Sequence, residues 1–234
     1  MEAVITLIRR WCIIPVLLAV VAGCAGEPPV SPADSVSDPS LGQYQDDDDE
    51  ENGSSDGDVG DDDDLKFLKP ADDAPPLAAT QVSFYAVRGQ EREARIMYRP
   101  KPGAADSSEF VRFVVGAGSL VERPDGSPIA MGDSLQITLT VVDTVRLIVD
   151  FQPDGLRFAA GSLARLRFSY GETDDDLDDD GDADAADEAI ETTFAIWRQE
   201  TAGAPYSRIP STVDTVAEQV AADIDGFTRY AVAY

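Results

Sequence analysis

The sequence contains no histidine and only two cysteines, Cys12 and Cys24. Without histidine, the chain cannot form the Ser/His or Cys/His pairs that activate a nucleophile, and it lacks the commonest ligand of catalytic zinc. Both cysteines lie within the first 24 residues. No later thiol is available for a disulfide, a thiolate nucleophile or a zinc site, so several common classes of hydrolase are excluded.

Long apolar runs are also absent, apart from one near the N-terminus. Arg9 and Arg10 precede a twelve-residue run, residues 11–22, that is predominantly apolar and contains Pro15. The run is too short for a membrane-spanning helix and has the length of the apolar part of a signal peptide. Residues 1–23 are therefore predicted to be a leader.

The leader ends in Val21-Ala22-Gly23-Cys24, which resembles the lipobox of bacterial lipoproteins. The resemblance implies cleavage before Cys24 and lipidation of its thiol, and several acyl chains make a stable anchor. The next residue is Ala25 rather than the aspartate that retains many such proteins in the inner membrane. The implied location is the cell envelope of a Gram-negative-type bacterium, at the outer membrane or cell surface. An ordinary secretory signal with a chance cysteine is the alternative.

Basic residues are few, with 18 against 45 acidic residues and a net charge of −27. Two stretches, residues 46–64 and 172–191, carry 12 acids each and no base, which leaves 21 acids and 18 bases in the rest of the chain. The remainder is nearly balanced, so no basic surface for nucleic acid is predicted.

Residues 24–78 are rich in Pro, Ser, Asp and Gly and contain almost no aromatic residue. Such a composition cannot bury enough apolar surface to fold, so this region is predicted to be a disordered acidic linker. Its acidic run, residues 46–64, is interpreted as a solvated spacer, with loose binding of divalent cations as the alternative. The short patch at residues 65–68 could pack onto the next domain or remain idle.

From residue 79 onward, short runs of alternating apolar and polar residues are bounded by turn residues, as in half-buried strands. Ile137 and Leu139, for example, alternate with Gln136 and Thr138, which predicts one core face and one solvated face. The candidate strands are residues 81–87, 94–99, 110–115, 135–142, 145–151, 156–158, 163–170, 193–198, 215–224 and 229–234. This pattern predicts one all-β domain, residues 79–234, folded as an antiparallel β-sandwich.

Two stretches of this domain are similar to ZU5-like domains. Residues 151–158, followed by the strand at 164–170, are similar to their Pro-x-Gly-Leu-x-Phe strand pair, and residues 226–232 resemble their closing strand. The resemblance covers most of residues 80–234 and implies a β-sandwich that is used for protein–protein interaction.

In some of these relatives the closing strand begins His-Phe-Ser, and the serine cuts its own preceding bond. The corresponding residues here are Gly226, Phe227 and Thr228. Because the histidine is missing, we predict an uncut chain. A denaturing gel with two fragments that meet at Phe227 and Thr228 would contradict this.

The acidic insert at residues 172–191 contains the spacing of a calcium loop. Ca²⁺ takes six to eight oxygens, and a D-x-D-x-D-G loop supplies them from positions 1, 3, 5, 7, 9 and 12 while the chain bends at a glycine in position 6. The glycine here is Gly181. The ligand positions are filled by Asp176, Asp178, Asp180, Asp182 through its carbonyl, Asp184 and Asp187. Aspartate at position 12, where glutamate is usual, resembles the single loops of dockerin modules.

A short helix is expected after this loop. Asp187, Glu188 and Glu191 suit a first helical turn, whereas Thr192 and Thr193 are poor helix formers, so one or two turns should give way to a strand. The predicted cofactor is Ca²⁺ in a structural role, since extracellular modules bind it at ~10⁻⁴ to 10⁻³ M. The alternative is a disordered hairpin tip that only improves solubility.

These features predict an envelope-anchored lipoprotein that is not an enzyme and acts as a monomeric binding or scaffolding module. Its predicted partners are the membrane, through the lipid on Cys24, and a protein or an envelope polymer, but no nucleic acid. One alternative is a carbohydrate-associated or cohesin-docking surface module, which the dockerin-like loop suggests. A less favoured one is an envelope hydrolase with a carboxylate acid–base pair.

Overall fold

The computed structural model of the protein describes residues 59–60 and 65–234. The predicted leader, Cys24 and most of the predicted linker lie outside these residues. The described part forms a helix, α1 (Ala185–Glu191), and twelve strands: β1 Val59–Gly60, β2 Gln81–Val87, β3 Arg92–Met97, β4 Glu109–Val115, β5 Ser134–Asp143, β6 Ile148–Gln152, β7 Ala164–Ser169, β8 Ala195–Gln199, β9 Tyr206–Arg208, β10 Thr212–Asp214, β11 Gln219–Ile224 and β12 Arg229–Ala233.

The strands pair antiparallel in two sheets. One sheet has seven strands in the order β1-β9-β8-β12-β6-β5-β2, and the other has five in the order β10-β11-β7-β4-β3. The predicted all-β, antiparallel sandwich with one short helix is therefore confirmed. In the part of the chain that the structure describes, no helix has the length and apolar character needed to cross a membrane.

The main core lies between the inner faces of the two sheets. On β5, Ile137 and Leu139 are fully buried, whereas Thr138 between them is only half-buried, as the two-residue period of a strand requires. Phe113 of β4 is also fully buried, and its ring centroid lies 5.1 Å from that of Phe151 on β6 in the opposite sheet. Aromatic contacts of this kind join the two sheets.

A second apolar cluster lies on the outer face of the seven-stranded sheet. Its buried members are Ile148, Ala195, Trp197, Tyr206, Ala231 and Ala233. Leu65 and Phe67 pack against it, and the rings of Phe67 and Tyr206 meet edge to face at 5.0 Å. We call residues 65–71 the arm. The arm lies within the predicted linker, for which packing of residues 65–68 onto the domain was one of two alternatives. The arm packs onto this sheet, so the folded domain begins before residue 79.

Several short elements differ from the sequence-based expectation. Residues 156–158 form no strand but a single bridge between Arg157 and Gly226, even though Leu156 is fully buried. Residues 215–218 form the turn between β10 and β11, with Glu218 at a φ of 52°. The three-residue strands β9 and β10 were not predicted, because so short a run contains too few residues to show a two-residue period.

The buried residues Tyr98 and Tyr230 should make the folded domain less stable at alkaline pH. Burial raises the pKa of Tyr98 to about 12, with a further contribution from the charge of Glu172, and burial raises the pKa of Tyr230 to about 12. The ordinary tyrosine pKa is about 10, so the fold favours the neutral phenols. Their contribution to stability is present below about pH 10 and is lost as the pH rises towards 12. Urea unfolding between about pH 9 and 12 measures this loss.

A matched variant for this prediction is Tyr98→Phe. The Tyr98 hydroxyl is buried and has no hydrogen-bond partner among the described residues, so its removal should not reduce stability at neutral pH. Above about pH 10, the variant should lose less stability than the wild type. Identical losses in the two proteins would contradict this assignment.

Candidate metal site in the acidic insert

The acidic insert connects β7 to β8 and ends in α1, a seven-residue helix. The predicted order of a loop, one or two helical turns and a strand is confirmed. Asp184 is the N-cap of α1, and its carboxylate accepts a hydrogen bond from the Ala186 N–H at 2.6 Å. Asp187, three residues later, accepts one from the Asp184 N–H at 2.8 Å. This reciprocal capping fixes the last part of the loop relative to the helix.

The first part of the loop folds around the carboxylate of Asp176. Its two oxygens accept hydrogen bonds from the Asp180 and Gly181 N–H groups, both at 3.0 Å. Asp178 also accepts one from Asp180 at 3.2 Å. Gly181 has a φ of 102°, which a residue with a side chain rarely adopts, so the glycine provides the bend expected at this position.

Asp187 joins the two ends of the loop. It is buried, with 5% of its surface exposed, and besides Asp184 it accepts hydrogen bonds from the Leu177 N–H at 2.7 Å and the Asp178 N–H at 3.2 Å. The hydrogen bond from Asp184, reinforced by the other two, holds the pKa of Asp187 below its usual value. Asp187 is therefore held as a carboxylate inside the loop.

Three of the predicted ligands come together. Carboxylate oxygens of Asp176, Asp178 and Asp187 all lie within 4.8 Å of one another. Oxygens bound to Ca²⁺ lie about 2.3–2.6 Å from the ion, so two of them on opposite sides are about 5 Å apart. The three oxygens can therefore share one coordination sphere. Loss of hydration, followed by the neighbouring charge of Asp180, raises the pKa of Asp178.

The carboxylates of two other predicted ligands, Asp180 and Asp184, are not part of this group of three. The ligand predicted at position 7 is the Asp182 main-chain carbonyl, which stays a prediction. The Asp180 carboxylate accepts a hydrogen bond from the Asp182 N–H at 3.2 Å, and the Asp184 carboxylate caps α1. Both side chains thus satisfy backbone donors of the loop. The structure brings together positions 1, 3 and 12 of the predicted site.

The loop rests on residues that the sequence pattern did not identify. Leu177 is 7% exposed and belongs to the main core. Its carbonyl oxygen accepts hydrogen bonds from the Tyr234 hydroxyl at 2.5 Å and from Lys66 Nζ at 3.3 Å. The one sequence signal for this support was Leu177 itself, an apolar residue inside a run of aspartates. A leucine at position 2 of the loop indicates a buried side chain, because a fully solvated loop would favour a polar residue there.

A separate cavity of about 490 Å³ lies at one end of the sandwich, where Gly226, Phe227 and Thr228 contribute to its lining. A Cβ atom on Gly226 would lie 2.9 Å from the Leu156 carbonyl oxygen. Histidine therefore does not fit at this position without movement of the backbone, and a Gly226→His substitution is not expected to introduce self-cleavage.

Comparison of the chain with protein-family models, with curated proteins and with solved structures gave no match.

Proposed function

We propose that this protein is an envelope-anchored lipoprotein whose β-sandwich is a non-catalytic binding or scaffolding module, stabilised by one Ca²⁺ ion in the acidic insert. The observation that carries the proposal is the convergence of the Asp176, Asp178 and Asp187 carboxylates within 4.8 Å. Three hard oxygen ligands that backbone N–H groups hold in place suit a hard divalent cation. The absence of histidine and of thiols in the folded domain disfavours a softer metal.

The roles of the loop residues follow from their contacts. Asp176, Asp178 and Asp187 would hold the ion, and its charge would offset their mutual repulsion. The ion would connect the start of the loop to α1, so its role would be structural. Asp187 is central to this arrangement, because it also accepts backbone hydrogen bonds from both ends of the loop.

The binding role is supported by the outer face and the edge of the seven-stranded sheet. Tyr85 on the edge strand β2 is 61% exposed. Polar pairs across β2 and β5 lie beside it, with Ser83 Oγ and Thr138 Oγ1 2.7 Å apart and Gln81 donating to Thr140 at 3.1 Å. Tyrosine is enriched in protein-binding surfaces, and an edge strand can pair with a partner's strand.

The anchoring role rests on the lipobox resemblance at Cys24. Metabolic labelling with a palmitate analogue in an envelope-bearing bacterial host tests it. The wild type should incorporate the label and fractionate with membranes, whereas a Cys24→Ser variant should do neither. Labelling of both proteins, or of neither, would argue against lipidation at this position.

Thermal melting tests the calcium site. Residues Gly53–Tyr234 form one compact unit that contains all the contacts described above, so this part is suitable for the measurement. At about 10 mM Ca²⁺, the melting temperature should lie roughly 3–10 °C above its value in chelator, because the ion binds only the folded state. A variant with Asp176→Asn and Asp178→Asn should show no calcium-dependent rise. Equal melting of the wild type with and without Ca²⁺ would contradict the proposal.

A further inference from the structure

The arm extends the seven-stranded sheet beside β12. β12 pairs with β6 only at Arg229 and Tyr230. From Val232 onward, the arm takes the place of β6 as the neighbour of β12. Lys66 and Tyr234 exchange two backbone hydrogen bonds, of 3.1 and 3.0 Å, and the Leu68 N–H donates to the Val232 carbonyl at 3.1 Å. The arm is thus held by an antiparallel bridge between Phe67 and Ala233 with three backbone hydrogen bonds, and not only by side chains.

The side chains of the arm cover the outer apolar cluster. Leu65 and Phe67 pack on the cluster that contains Trp197, whose exposure is only 6%. Arg146 lies over the Phe67 ring, with its guanidinium carbon 5.6 Å from the ring centroid. Release of the arm would expose this cluster to water. The free-energy cost of exposing apolar surface opposes that release.

The arm also contacts the acidic insert. Lys66 Nζ lies 3.4 Å from an Asp179 carboxylate oxygen and 3.3 Å from the Leu177 carbonyl oxygen. The Lys69 carbonyl accepts a hydrogen bond from the Asp174 N–H at 2.9 Å, and the Ala71 N–H donates to the Glu172 carbonyl at 3.0 Å. Residues 66–68 of the arm therefore pair with β12 and its C-terminal neighbour, and residues 69–71 pair with the start of the insert.

Leu177 connects these two sets of contacts. Its N–H donates to Asp187, one of the three converging carboxylates, at 2.7 Å. Its carbonyl accepts from the Tyr234 hydroxyl and from Lys66 of the arm. The position of this one residue is consequently determined both by the candidate metal site and by the docked arm.

We propose that calcium binding in the acidic insert and docking of the arm on the sheet are coupled, so that each favours the other. The inference rests on the proposed function, because it concerns regulation of the same site. An ion that fixes Asp187 and Asp178 fixes Leu177 as well, and a fixed Leu177 offers the arm its hydrogen-bond acceptor. By thermodynamic linkage, a docked arm must in turn raise the affinity for Ca²⁺.

The coupling has a consequence for the whole chain. The arm lies between residues 24–64 of the predicted linker and the sandwich, so release of the arm lengthens the connection to the proposed anchor by the arm's own residues. Release also uncovers the apolar cluster around Trp197. Loss of Ca²⁺ would therefore change both the reach of the module and the surface that it presents.

Hydrogen exchange of the wild type, residues Gly53–Tyr234, measures the effect of calcium on the arm. The Lys66 and Leu68 amides, which donate to Tyr234 and Val232, should exchange at least about fivefold more slowly in saturating Ca²⁺ than in chelator.

Trp197 is the only tryptophan in this part of the chain. Its fluorescence should shift to longer wavelength in chelator if the arm leaves the cluster.

The reciprocal experiment is calorimetric titration of Ca²⁺ into Phe67→Ala. Phe67 packs on Tyr206 and does not belong to the insert, yet its truncation should weaken calcium binding at least about fivefold. Met131→Ala is the control, because Met131 is an apolar residue that is 74% exposed in the turn before β5 and belongs to neither the arm nor the insert. It should bind Ca²⁺ with the affinity of the wild type.

The outcomes separate the two proposals. Calcium binding to the wild type with unchanged exchange at Lys66 and Leu68, and with wild-type affinity in Phe67→Ala, would overturn the coupling and leave the calcium site intact. Absence of calcium binding to the wild type would overturn the proposed site and the coupling with it. Slower exchange in the arm together with weaker binding by Phe67→Ala would support both.

Discussion

Truncation of Phe113 to alanine is expected to lower the free energy of unfolding by about 3–5 kcal/mol. The Phe113 side chain is fully buried in β4, and its ring centroid lies 5.1 Å from that of Phe151 on β6 of the opposite sheet and 5.7 Å from that of Phe227, which precedes β12. The substitution removes these contacts and leaves a cavity between the sheets that the surrounding strands cannot fill completely. Urea denaturation followed by circular dichroism gives the change directly.

Two further variants make the Phe113 prediction specific. Phe113→Leu keeps most of the buried volume and should lose much less stability than the alanine variant. Tyr85→Ala removes an aromatic side chain that is 61% exposed and should change the free energy of unfolding by about 0.5 kcal/mol or less. If Phe113→Ala were as stable as Tyr85→Ala, the described packing between the two sheets would be wrong.

Replacement of Asp187 by alanine is expected to lower the melting temperature by roughly 5–10 °C even in chelator. Three backbone N–H groups, those of Leu177, Asp178 and Asp184, lose their acceptor. Because Asp187 is buried, water has little access to replace it. Differential scanning calorimetry in the presence of chelator separates this contribution from that of any bound ion.

The controls for Asp187 lie in the same loop. Asp187→Asn keeps one acceptor oxygen but places an amide N–H₂ group among backbone donors, so its melting temperature should fall between those of the wild type and the alanine variant. Asp182→Ala removes an equal charge at an exposed position, and its melting temperature should stay within about 2 °C of the wild type. Equal melting of Asp187→Ala and Asp182→Ala would show that Asp187 does not hold the loop.

Most of the sandwich could be predicted from local sequence, because strands and turns leave local signals. The alternation in β5 identified its inner face, and Ile137 and Leu139 are fully buried as expected. Turn residues bound the alternating runs, and the turn glycines Gly89, Gly126 and Gly155 have positive φ values of 92°, 82° and 74°. Which strands are neighbours could not be predicted in this way, since pairing depends on contacts between residues that are distant in the chain.

The candidate site was only partly predictable, for a related reason. The spacing of the aspartates is local, and it brought Asp176, Asp178 and Asp187 together. The support beneath the loop is not local, because Lys66 and Tyr234 lie 111 and 57 residues from Leu177. For the same reason, the sequence left open whether residues 65–68 pack onto the domain. The apolar residues of the arm are too few to form a core of their own and pack against β12 and the outer cluster.

Calorimetric titration of Ca²⁺ into residues Gly53–Tyr234 is the most direct test of the central claim, that the acidic insert is a calcium site. The wild type should bind one ion with a dissociation constant of ~10⁻⁴ to 10⁻³ M. Binding should be lost in Asp176→Asn with Asp178→Asn and retained in Asp182→Ala, whose carboxylate is outside the group of three. Absence of saturable heat in the wild type, or equal binding by the double variant, would contradict the claim.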